Sequence, residues 1–332
     1  MLTTAVLAMV LGLSPAPEPR AAPTAQTCAD EGPAYAAATG GARLAYRDLG
    51  PADGRPVLLV AGTDQQMTQW PASVLADLQA RGLRPIVYDA RDVGCSTHHT
   101  ESGAVDWGGV FAALGSGGRP ALPYDLETLA ADAAAVLDHL GVPRADVVGV
   151  SGGATVAGEL AASAPERVGR LVMLMANSGN PVLPMPANPA RLASLPPPPR
   201  ADAEPRAVAA YRAAVWRAMD GTETLGSPDD YPAMARAATA RSWDPDGVAR
   251  TGAALLAAGD RRARLAGVRA PTTVIHGEMD PLISVAAGRE VADAIPGATF
   301  FLTPGMGHGL TPRAVERLLE GLTGDARQGG AH

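Results

Sequence analysis

Apolar positions in this chain fall into short unbroken runs, separated by stretches in which they recur every three or four residues. Val57-Leu58-Leu59-Val60, Pro85-Ile86-Val87-Tyr88, Asp146–Val150, Leu171–Met175 and Thr272–His276 are too short for helices and rich in β-branched residues, which predicts buried strands. Arg43–Asp48 alternates like a half-exposed strand, and Ala298–Leu302 supplies a last one. Between these runs the spacing predicts helices over Pro71–Arg81, Leu126–Leu140, Gly152–Ala164, Ala286–Ala294 and Pro312–Leu322. Alternating strands and helices imply an α/β fold, a mostly parallel central sheet with helices on both faces. Such sheets bind ligands beyond the carboxyl ends of their strands.

The rhythm breaks over residues 177–266. A proline-rich loop, with LPPPP at Leu195–Pro199, precedes predicted helices at Glu204–Met219, Tyr231–Ser242 and Pro245–Ala258. This reads as a helical cap inserted over the sheet, dividing the core into residues 42–176 and 267–322. Trp216 and Trp243 read first as packing within the insertion and second as a pocket wall. Residues 1–38, rich in Pro, Ala and Thr, read as a signal-like or disordered leader, with structure beginning near Ala42. Residues 323–332 read as a flexible tail.

Composition narrows the picture modestly. Of 332 residues 47% are hydrophobic but only 4% aromatic, so the core must be built from Ala, Val and Leu. A net charge of −7 argues against nucleic acid or an anionic membrane as partner. All 27 basic residues are arginine, and Arg261, Arg262 and Arg264 are expected to form a solvated helix face. Ala5–Leu13 is too short to span a bilayer and has the length of a signal h-region, without a basic flank or a clean cleavage site. Export and a start codon set too far upstream are the two readings. Cys28 and Cys95 make neither a disulfide framework nor a metal site. Two separate thiols are the expectation, with a disulfide as the alternative in an exported protein. Nothing calls for a metal or a cofactor, and the oligomeric state stays open.

The candidate chemistry centres on GVSGG, Gly149–Gly153. A strand, a sharp turn carrying a serine and a helix make a nucleophile elbow, with glycines two positions either side because the flanking chains are forced together. Alone the pattern is weak in a chain with 38 glycines. A serine needs a base, and that base an orienting carboxylate. Of six histidines, His308 lies in the glycine-rich loop PGMGHG after the last strand. His139, His98, His99, His276 and His332 suit structural roles. Asp280, in HGEMDP after the preceding strand, is the candidate acid; the alternative position, after Leu171–Met175, holds Asn177. The order Ser151, Asp280, His308 is nucleophile, acid, base.

These residues, with YDARDVGCS (Tyr88–Ser96) and ERVGRLVML (Glu166–Leu174), resemble the α/β-hydrolase family across about residues 42–322. RDVGCST, the loop ending Gln69-Trp70-Pro71 and PGMGHGL are most similar to aclacinomycin-methylesterase-like esterases of polyketide pathways. The resemblance implies a Ser-Asp-His triad and an oxyanion hole from the backbone N–H groups of Thr63 and Gly152. Two departures stand out. Ala-Gly-Thr-Asp replaces the His-Gly many relatives carry, putting the Asp64 carboxylate beside the hole. Ser-Gly-Gly replaces the common Ser-Met-Gly, which should leave extra room beside the nucleophile. The expectation is a serine esterase acting on a small or medium apolar ester. Cleavage of another acyl bond (peptide, lactone or carbon–carbon) and a catalytically inert binding protein remain open.

Overall fold

The computed structural model describes residues 28, 30–183 and 185–324. Eight strands form one sheet: β1 (Ala34–Ala37), β2 (Arg43–Asp48), β3 (Arg55–Val60), β4 (Leu83–Tyr88), β5 (Ala145–Val150), β6 (Val168–Leu174), β7 (Thr272–Gly277) and β8 (Thr299–Thr303). Their spatial order is β1-β2-β4-β3-β5-β6-β7-β8. The β1–β2 and β2–β4 pairs are antiparallel, and every other pair is parallel. Before the cap come helices α1 (Ala72–Ala80), α2 (Trp107–Gly115), α3 (Leu126–His139) and α4 (Gly152–Ser163). Three long cap helices follow, α5 (Pro205–Met219), α6 (Tyr231–Arg241) and α7 (Pro245–Ala257), then α8 (Val285–Ala294) and α9 (Pro312–Thr323).

Every residue of β5 is buried, as expected of a parallel strand covered on both faces. Its side chains alternate between two cores: Val147 packs with Leu129, Leu160 and Val291 from α3, α4 and α8. Val148 and Val150 pack with Leu78 and Leu318 from α1 and α9. This period of two puts β5 at the centre of the sheet and aims its carboxyl end at the elbow.

Three differences from the sequence reading concern the margins. Residues 34–37, placed in the leader, form β1, so structure starts well before Ala42. The segment AYAA has no apolar run to mark it; its strand state comes from pairing with β2. Cys28 and Cys95, expected as separate thiols, are joined in a disulfide across 67 residues of sequence. Helix α2, WGGVFAALG, has no polar face to give it a period and escaped the reading; the Asp106 carboxylate caps it by accepting from Gly109 N–H. The signal-like segment and residues 325–332 of the tail lie outside the described residues. No helix among the described residues is long and apolar enough to cross a membrane.

Candidate active site

Ser151 stands between β5 and α4 at φ 54°, ψ −120°, a conformation that L-residues avoid. Its N–H donates to Leu174 O (2.9 Å), so the neighbouring strand holds the strained turn. The flanking glycines answer to crowding. A Cβ on Gly149 would overlap the backbone of Gly153 and Ala154, and one on Gly153 would overlap the carbonyls of Val60 and Ala61.

His308 and Asp280 meet this serine as the sequence order predicts. His308 Nε2 lies 3.0 Å from Ser151 Oγ, and Nδ1 lies 2.7 Å from Asp280 Oδ2. Asp280 Oδ1 accepts from Leu282 N–H (2.8 Å) and Ile283 N–H (2.9 Å), which fixes the carboxylate. Burial alone would raise the Asp280 pKa; the His308 ring, the Ile283 N–H and the His276 ring hold it below the ordinary carboxylate value. His276 is fully buried behind Asp280, with Nε2–H donating to Ile283 O (2.9 Å), and burial lowers its pKa. Expected in a turn, it is instead a buried residue of β7, paired with Leu302 of β8.

The loop carrying His308 rests on the cap. His308 N–H donates to Met219 O (2.7 Å), Thr222 N–H and Glu223 N–H both donate to Gly305 O, and Leu225 N–H donates to Leu310 O. A Cβ on Gly307 would overlap Met219 O, and one on Gly221 would overlap Gly305 O, so the two backbones touch directly. The glycines of PGMGHG permit this approach.

On the other side of Ser151, Gly62, Thr63, Asp64 and Gln65 form a turn closed by Gln65 N–H donating to Gly62 O (3.0 Å). Gly152 is the first residue of α4, so its N–H has no intrahelical acceptor. Thr63 N–H makes no hydrogen bond among the described residues. A Cβ at Gly152 would stand 3.4 Å from Thr63 N, so the two backbones lie close together beside Ser151. The extra room expected beside Gly152 is absent: that Cβ would run into Thr63 Oγ1 and lie 2.9 Å from Leu255 Cδ1. A larger residue there would need the Thr63 hydroxyl and the Leu255 side chain of α7 to give way. Asp64 has φ 62°, and its Oδ1 lies 3.0 Å from Nη2 of Arg212 on α5. Burial raises its pKa, against the pull of Arg212.

A cavity of about 1450 Å³ opens over these groups. Trp216 and Trp243 line it, and each also packs within the cap, edge-on to Tyr231 and Tyr211 respectively, so both sequence readings hold. The sequence reading missed three cap arginines whose side chains are 2–3% exposed. Arg212 reaches Asp64, Arg241 on α6 reaches Asp89 (2.7 Å), and Arg250 on α7 reaches Asp92 (2.8 Å). A signal existed: Arg212 falls on the same helical stripe as Val208, Val215 and Met219. His98, assigned to a polar loop, is buried with Nδ1 2.7 Å from Asp244 and Nε2 3.1 Å from Gly94 O. Asp92, His98 and Asp244 come within reach of one another as metal ligands would, but Arg250 occupies both carboxylates. Arg261 is not solvated either. It is buried and donates to Gly259 O and Asn177 O, and burial brings its pKa down to about 10.

Residues 55–311 match the alpha/beta hydrolase fold family. The chain is 30% identical over 288 residues to rhodomycin D methylesterase of Streptomyces peucetius, covering 81% of this chain and 89% of the relative. An enol-lactonase from Burkholderia xenovorans has the same fold, with a TM-score of 0.63 at 24% identity over 87% of this chain and 100% of that one. An esterase from a Rhodococcus species superposes with a TM-score of 0.63 at 23% identity, covering 88% and 97%.

Proposed function

Because the chain belongs to the alpha/beta hydrolase fold family, we propose for it a serine-esterase reaction carried by Ser151, His308 and Asp280. It is an ester-hydrolysing enzyme of the kind its methylesterase relative represents. The observation that carries the assignment of residues is His308, whose two ring nitrogens face Ser151 Oγ and Asp280 Oδ2 at 3.0 and 2.7 Å. With Nδ1–H donated to the carboxylate, Nε2 is left as the base. Ser151 Oγ attacks the ester carbonyl as its proton passes to His308 Nε2, and the carbonyl electrons move onto oxygen. Thr63 and Gly152 N–H groups receive that oxyanion. Collapse expels the alcohol, which takes the proton from His308 and leaves an acyl-serine. Water, deprotonated by the same nitrogen, then releases the acid.

The cavity favours a medium-sized ester with an apolar body, given the tryptophans in its wall. Ser151→Ala should lower p-nitrophenyl ester turnover by roughly 10⁴-fold or more with the melting temperature unchanged. Unchanged turnover in a clean preparation would sink the assignment. Labelling by a fluorophosphonate separates an active serine from an inert fold, and a panel of esters, lactones and amides separates the acyl bonds.

The proposal extends to location. The Cys28–Cys95 disulfide supports export to an oxidising compartment. Intact mass of the mature protein, recovered from outside the cell and lacking the leader, is the expected result.

A further inference from the structure

The oxyanion turn carries a carboxylate where an oxyanion enzyme should avoid one. Asp64 directly follows Thr63, whose N–H is assigned above to the oxyanion. It also occupies a turn position whose φ of 62° suits glycine. Glycine would remove both the strain and the charge, so the side chain itself must be of use. Its partner is Arg212, delivered from α5 of the cap. The guanidinium lies 5.0 Å from the centroid of the Trp243 ring, and Nη2 donates to Asp64 Oδ1 (3.0 Å) and Ser242 O (3.2 Å). Among the described residues Asp64 is the one carboxylate within ion-pair distance of Arg212. Arg212 Nε and Nη1 are buried without partners, so this cation is held in place at some cost. Both residues line the cavity over Ser151.

We propose that Arg212 is a positioning residue for catalysis: from the cap it cancels the Asp64 charge beside the oxyanion hole, so that the hole becomes effective when the cap is seated. In the transition state a full negative charge grows on the carbonyl oxygen. An uncompensated carboxylate on the residue next to Thr63, in a half-buried site, opposes that charge, and a paired one does not. The cap thereby contributes to the chemical step without touching the reacting atoms. The inference rests on the oxyanion role given to Thr63.

The test compares kcat and KM for wild type, Arg212→Met and Arg212→Met/Asp64→Asn on one ester, with folding checked by thermal melting. Arg212→Met should lower kcat at least tenfold with KM changed much less, and adding Asp64→Asn should restore most of the loss. A second variant, Arg212→Lys, keeps the charge while losing the planar fork and should retain more kcat than Arg212→Met. The inference is overturned if Arg212→Met turns over as wild type does. It is also overturned if Asp64→Asn restores the melting temperature of the double variant without restoring its kcat, the result that a merely structural pairing gives. Wild type inactive on every ester would instead count against the esterase reading.

Discussion

The two faces of the sheet are closed by aliphatic side chains, whereas the cap is fastened to the sheet's carboxyl edge by buried ion pairs. Beneath the sheet edge, β5 and its neighbours contribute Val, Leu and Met to two large aliphatic cores, beside which Asp132 of α3 is buried against Arg91 (2.6 Å). Above it, each of the three long cap helices sends down one buried arginine to a core acid: Arg212 to Asp64, Arg241 to Asp89, Arg250 to Asp92. Apolar contacts are short-ranged and non-directional, and tolerate repacking. A guanidinium–carboxylate pair is directional and costs several kcal/mol per ion to desolvate unless its remaining donors are satisfied. A cap seated by such pairs has one well-defined position, which suits a wall that shapes an active-site cavity.

Two substitutions separate these regions. Arg250→Met leaves the Asp92 carboxylate buried without its cation and should cost about 3–5 kcal/mol. Limited proteolysis should then cut first within residues 177–266, and adding Asp92→Asn should recover much of the loss. Leu58→Ala, in the aliphatic core, should cost about 2–5 kcal/mol and lower the whole melting transition without selective cutting. Equal proteolysis of the two variants would erase the distinction.

The disulfide offers a smaller perturbation at the seam. Glu31, three residues after Cys28, pairs with Arg241 (3.0 Å), while Cys95 N–H donates to Asp89 Oδ2 (2.9 Å). Cys28→Ser/Cys95→Ser should cost about 2–4 kcal/mol, read from urea midpoints. It should loosen α6 more than α3 in hydrogen exchange.

The smallest expected effect is one of pH. Both ring nitrogens of His98 face oxygen acceptors, so the fold favours the imidazolium. Burial would lower its pKa, but the Asp244 carboxylate and Gly94 carbonyl raise it above 6.5. The stability this pair contributes is therefore complete below about pH 6.5 and is lost as pH rises through the higher folded value. Asp280 runs the other way: its depressed pKa contributes stability above the ordinary carboxylate value, lost as pH falls through the folded one. The urea midpoint of wild type should decline above pH 6.5, and His98→Gln should flatten that decline.

Most of the sheet, most of its helices and the three candidate catalytic residues were legible in the sequence because each depends on a local pattern. Strand runs show β-branched residues, GVSGG shows crowding on both sides of a turn, and His308 and Asp280 follow strands. What escaped depends on distant partners. β1 is a strand only because β2 pairs with it, and AYAA alone says nothing. Arg250 is buried only because Asp92, 158 residues earlier, faces it. Gly152 invited a guess of open space, yet the space holds Thr63 and Leu255, and no pattern around Gly152 could name either.

The backbone contact between residues 219–225 and the His308 loop bears on how such enzymes can be recombined. A cap whose backbone also seats His308 is not an interchangeable module. Chimeras that exchange residues 177–266 wholesale would import a new support for His308 along with a new pocket. A graft junction placed before Met219 would keep the native support, so that the pocket could be exchanged while the Ser151–His308–Asp280 contacts stay intact.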